Sequence, residues 1–268
     1  MAIGKPSRLP AGLTTRTATD LDRRIQVNNY PYAPGSSYEQ LGVRPAARLS
    51  VAFLSQAFTW MFLGLLLSAF VAYLVQNNLG LTQTVLNLWL PLIIAEMVIG
   101  VGLQVAIRRI NATVALGLFL IYAAINGLTF GVIILAYTYQ TGSAATVVEA
   151  FVSAAAMFGG AALYGAVTKR SLTNMFGYLA MATWGLLVAI LLNVFLGNGT
   201  LDIIISVIGV VIFTALTAST VQRISTGQIA AMTGSMEKAS VIGALLLYLE
   251  FVNIFLFLLR LFGGGGRR

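Results

Sequence analysis

Cysteine and histidine are both absent from the 268-residue chain. Without a thiol there is no disulfide and no thiolate nucleophile, and the redox compartment cannot be read. Without an imidazole there is no His-ligated metal and no histidine-based triad. Charge is scarce as well: only 9% of residues are Asp, Glu, Lys or Arg. A soluble domain of this length needs a far more charged exterior. With 58% hydrophobic residues and a mean hydropathy of +0.88, the chain reads as an integral membrane protein whose first partner is the lipid bilayer. The formal charge of +8 does not point to nucleic acid, because the basic residues lie in the N-terminal stretch and at helix ends, where they set topology. No Gly-rich phosphate loop occurs. An intramembrane aspartyl protease needs two aspartates in the membrane, and the sole candidate, Asp202, falls at a helix end. The chain is therefore read as not an enzyme, with no resident cofactor.

Residues 1–48 form a polar tail containing Pro6, Pro10, Pro31, Pro34 and Pro45 and an excess of arginine over acids. No apolar core precedes Leu49, which argues against a secretory signal peptide. The tail is expected to be cytoplasmic. Its segment NNYPYAPGSSYEQ places Tyr30, Tyr32 and Tyr38 as candidate contacts to a partner membrane protein. Bilayer-length apolar spans then recur at about 51–76, 85–107, 112–138, 144–167, 173–196, 201–221 and 240–262. They define a transmembrane domain over 49–263, followed by a Gly/Arg tail at 264–268. The expected fold is an all-α bundle of seven transmembrane helices. Basic pairs at Arg108-Arg109 and Lys169-Arg170, and the 222–239 link with Arg223 and Lys238, alternate with links that lack Lys and Arg. That alternation puts the tail and the basic links on one side. A full seventh crossing sends Arg260, Arg267 and Arg268 to the other side, against the rule, and is still preferred to a re-entrant one.

The last span, SVIGALLLYLEFVNIFLFLLRLF, carries Glu250 near its middle and Asn253 three residues on. An acid at the centre of a lipid-facing helix costs about 3 kcal/mol on insertion scales, so this helix is expected inside the bundle. Helical spacing puts Gly243, Leu246, Glu250, Asn253 and Phe257 on one face. Glu250 is either a hydrogen-bonded packing element or part of an ion pathway. Glu96 lies at similar depth in the second span, and the two acids meet near the midplane if those helices touch. Facing carboxylates repel when both are ionised, so such a pair shares a proton or binds a cation. Calcium takes six to eight oxygens, more than two carboxylates and Asn253 supply, so water or backbone would complete any site built on Glu250. Arg108 anchors the end of the second span or snorkels from it. Glu149 and Asp202 read as helix-start charges. Asn126 and Asn193 read as buried amides in interhelical hydrogen bonds. Small-residue pairs Ala155/Gly159, Ala156/Gly160 and Ala161/Gly165 mark the fourth span for close packing.

Several segments together resemble the Bax inhibitor-1 family of transmembrane Bax inhibitor motif proteins. LYLEFVNIFLFLLRLFG (Leu247–Gly263) is similar to its C-terminal signature, which usually has aspartate where Glu250 stands. YAAINGLTF (Tyr122–Phe130) and MFGGAALYGAVTKRSL (Met157–Leu172) resemble its third helix and its fourth helix with the basic loop, and Glu96 falls where bacterial members carry a glutamate. The resemblance implies a bundle with the C-terminal helix central, in a bacterial inner membrane, and a pH-sensitive calcium or cation leak gated by an acid pair on helices six and seven. This chain departs at LTASTVQRI (Leu216–Ile224), where Ser219-Thr220 replaces the usual Tyr-Asp. Two readings follow. In a cation channel or leak, with calcium the candidate ion, Glu250 lines the pathway, Asn253 assists, Glu96 and Arg108 tune charge, and Thr220 gives a neutral oxygen. In the other, the chain is a non-conducting regulator or subunit that binds a quality-control protease or larger membrane complex.

Overall fold

A computed structural model describes residues 47–106, 110–233 and 235–264. The described residues form helices α1 (Ala47–Gln76), α2 (Leu79–Asn87), α3 (Trp89–Ala106), α4 (Ala112–Thr141), α5 (Ala145–Val167), α6 (Thr173–Leu196), α7 (Gly199–Ser225), α8 (Gln228–Thr233) and α9 (Met236–Gly264). Six helices are long and apolar enough to cross a membrane, and α2 with α3 makes a seventh span if the pair is counted as one. The architecture is the expected all-α bundle. Tyr30, Tyr32, Tyr38 and Arg108 lie outside the described residues.

The helix ends follow from local chemistry. Asn111 and Asn198 cap α4 and α7 by accepting from backbone N–H groups of the first turn, Val114 in one and Thr200 and Leu201 in the other. Gly142 (φ 71°) and Gly197 (φ 62°) stop α4 and α6 in the left-handed conformation.

The second span differs from the continuous helix expected over 85–107. It begins earlier, at Leu79, and breaks at Leu88, where α2 and α3 meet at 72°. Pro91 supplies the reason. It has no N–H to donate to Asn87, and its ring crowds that carbonyl, so a helix through Leu88 cannot continue. In the first turn of a new helix beginning at Trp89, a missing donor costs nothing.

The C-terminal helix α9 is central. In its most apolar stretch 72% of residues are buried, whereas no other span exceeds 50% and α6 reaches only 6%. Helices α1, α4, α5, α7 and α8 all pack on it. It is unbroken over 29 residues, about 43 Å, which is enough to cross a bilayer without returning. Helices α1 and α4 approach closely at Gly127, where a Cβ would stand 2.6 Å from the Ser68 carbonyl oxygen. In α5 the small-residue expectation holds for one face. Gly165 sits against the Ala218 backbone with no room for a side chain, whereas Gly159 and Gly160 have open space beside them.

Candidate functional site

Glu250 is buried in the middle of α9, at 4% exposure, and points at α7. Thr220 Oγ1 donates to Glu250 Oε1 at 2.5 Å. One turn along α7, the Thr217 hydroxyl lies beside the same carboxylate but gives its proton to the Phe213 carbonyl at 2.9 Å. Glu250 Oε2 is buried and has no hydrogen-bond partner. A buried polar atom in that state costs about 1–3 kcal/mol, more if charged, so it marks a place where a proton, water or cation is wanted.

One turn further, at the end of α7, Arg223 acts electrostatically on Glu250 without forming a direct ion pair. Its guanidinium lies 3.8 Å from the centroid of the Phe176 ring on α6, and Nη2 donates to Met232 Sδ on α8 at 3.5 Å. Arg223 Nη1 is buried without a hydrogen-bond partner. The site is thus an acid on the central helix facing two threonines and a half-buried arginine, all from α7. In sequence Arg223 is a topological charge and Thr217 carries no signal of its own. The 217, 220, 223 spacing on one helix face was the available signal.

Glu96 does not join this site. It is half-buried on α3, where Thr129 Oγ1 of α4 donates to its Oε1 at 2.5 Å. Each acid is therefore held by its own threonine, because α3 packs on α4 and not along α9. The proton-sharing pair of Glu96 and Glu250 is not formed. On the other side of α9, Tyr248 reaches Ser68 of α1 at 2.8 Å. Ser68 has one proton and gives it to carbonyls, the nearest being Ala123 at 2.6 Å, so Tyr248 is the donor. Asn253 shares the predicted face but spends its amide on its own helix, donating to the Leu249 carbonyl at 2.7 Å.

Two other amides correct the expected interhelical bonds. Asn126 is buried but donates to Tyr122 one turn back in α4. Asn193 is half-buried and accepts from the Asn198 N–H at the end of α6. Asp202, in the first turn of α7, pairs with Arg260 of α9 at 3.7 Å. That pairing gives Arg260 a local counter-charge at the end of α9. Among the described residues no group of three or more Asp or Glu side chains could hold a metal ion.

A family model described as "Inhibitor of apoptosis-promoting Bax1" matches residues 51–267. An uncharacterized protein of Deinococcus radiodurans is 41% identical over 210 residues, covering 78% of this chain and 89% of its own length. Inner membrane protein YbhL of Escherichia coli K12 is 38% identical over 227 residues, covering 82% of this chain and 94% of its own. The uncharacterized protein YrjE of Lactococcus lactis is 40% identical over 224 residues, covering 81% and 93%. With the buried acid on a wrapped C-terminal helix and a family match spanning the whole bundle, the chain belongs to the Bax inhibitor-1 family of membrane proteins.

Proposed function

We propose that this protein is a pH-sensitive cation leak, with calcium among its permeant ions, and that Glu250 is the group the ion meets inside the bundle. The observation that carries this reading is the buried Glu250 Oε2, an acceptor with no donor on the most enclosed helix. Buried carboxylate oxygens kept only for packing are as a rule hydrogen-bonded, which is what makes the unpartnered Oε2 a candidate ligand. Thr220 and Thr217 offer neutral oxygens beside it, and water would supply the further ligands that calcium needs.

Protonation of Glu250 removes the negative charge, so flux should fall as the solution becomes more acidic. Arg223 is the charged group that faces Glu250 among the described residues. From Ala52 onward α1 carries no charged residue, α4 carries none, α5 offers only exposed Glu149, and α8 has none. The Tyr122 and Tyr248 rings stack edge to face by Ser68, on the side of α9 away from α7.

A specific observation favours a second reading, a non-conducting regulator that binds other membrane proteins, with the tail tyrosines Tyr30, Tyr32 and Tyr38 as its contacts. Thr220 is a hydroxyl where the family resemblance implies an acid, so no repelling pair can form to drive opening. Proteoliposomes loaded with a calcium dye separate the two. The leak reading expects flux from wild type that is lost in Glu250→Gln and changes with pH between about 6 and 8. Wild type no leakier than empty vesicles, with Thr220→Asp conducting, would favour the regulator.

A further inference from the structure

The turn joining α5 to α6 is clamped from α7, chiefly by one side chain. Gln222 of α7, only 7% exposed, donates Nε2 to the carbonyls of Arg170 at 2.7 Å and Thr168 at 3.4 Å, and its Oε1 accepts the Leu172 N–H at 2.7 Å. Ser219 Oγ donates to the Leu172 carbonyl at 3.3 Å, and Gln228 Nε2 to Thr173 Oγ1 at 2.9 Å. Behind the turn, the Gly165 contact with the Ala218 backbone presses α5 onto α7. The backbone of 168–172 is therefore fixed from the inside, while Lys169 and Arg170 stay exposed. Neither has an acid partner among the described residues, where the ion pair formed is Arg260 with Asp202.

The surroundings of this basic pair are apolar. Helices α5 and α6 both lie on α7 but do not pack along each other, and α6 is the least buried span. Tyr164 and Val167 on α5 and Tyr178 on α6 are exposed within two turns of the pair. Tyrosines at this level suit the membrane–water interface, with aliphatic surface extending from them toward the bilayer interior.

We propose that the α5–α6 turn is a binding site for an anionic phospholipid, with the headgroup phosphate on Lys169 and Arg170 and an acyl chain along the exposed apolar surfaces of α5 and α6. Charge complementarity selects the occupant. Two cations without protein counter-charges, held at a bilayer interface, are matched by an anionic headgroup and not by a zwitterionic one. Clamping by Gln222 means little backbone freedom is lost on binding, which turns a general attraction to the surface into a defined site. This inference is independent of whether the protein conducts.

Native mass spectrometry of the full chain, released from equimolar phosphatidylglycerol and phosphatidylcholine, tests it. Wild type should retain the anionic lipid in preference by roughly tenfold or more. Lys169→Gln/Arg170→Gln should lose that preference, while Arg23→Gln/Arg24→Gln in the tail, an equal charge change, should keep it. Gln222→Leu, which leaves both cations in place, should weaken it. Millimolar inorganic phosphate should not displace the lipid. Equal loss in the tail variant, equal retention of both lipids by wild type, or full preference in Lys169→Gln/Arg170→Gln would each overturn the proposal.

Discussion

Thr220 and Glu250 are joined across the α7–α9 contact by a 2.5 Å hydrogen bond in which the threonine donates. Thr220 is fully buried, so this bond is made away from water. A neutral hydroxyl satisfies one carboxylate oxygen and leaves the other open. A second carboxylate at the same position would have to share a proton with Glu250 or repel it. Thr220→Val should therefore lower stability by about 1–3 kcal/mol, seen as an earlier thermal transition in detergent. Thr220→Asp should behave differently with pH, losing stability relative to wild type as pH rises from about 6 to about 8, because two ionised carboxylates then face each other.

Gly127 should be intolerant of any side chain. A Cβ there would stand 2.6 Å from backbone of α1, which cannot swing aside as a flexible side chain would. Gly127→Ala is expected to cost about 1–3 kcal/mol. Gly159→Ala, at a site with nothing within 4 Å, should be neutral or slightly stabilising. Thermal unfolding of both variants side by side decides whether α1 and α4 touch at this point.

The bend at Leu88 should depend on Pro91. Because the chain has no cysteine, single labels can be placed without background. Spin labels at Leu79 and Met97, both exposed, should move apart in Pro91→Ala as α2 and α3 approach one continuous helix. Double electron–electron resonance measures that distance directly. An unchanged distribution would assign the bend to the contacts of α2 and α3 with α4.

The Arg260–Asp202 pair should contribute little to stability. Both side chains are more than a third exposed, at 36% and 42%. Arg260→Gln is expected to cost less than about 1 kcal/mol, with the effect shrinking at high salt. The pair's role is to give Arg260 a partner where α9 ends. Measuring the variant at low and high ionic strength checks the prediction.

The spans, the missing chemistries and the enclosure of Glu250 were legible in the sequence because each depends on composition over a window or on the cost of one charge in hydrocarbon. The partners of the polar residues were not. Asn126 and Asn253 bond one turn back along their own helices, an option open to any mid-helix amide and invisible to a search for partners on other helices. Arg223 looked like an orientation signal because its charge is a local property. Its stacking on Phe176 and its field at Glu250 depend on where α6 and α9 lie. The break in the second span is signalled by Pro91, but window hydropathy runs across it and gives one continuous helix.

By itself, then, the sequence determined that seven apolar stretches must cross or enter a bilayer and that the last of them must be wrapped, since length, hydropathy and a mid-span acid act one segment at a time. Only the tertiary structure decided that Glu96 and Glu250 stand apart, each with its own threonine, and that Gln222 holds a basic turn in place. Depth along a helix is encoded in sequence, but which helix lies beside it is settled by close packing of the whole bundle, and hydrogen-bond partners follow from that neighbour.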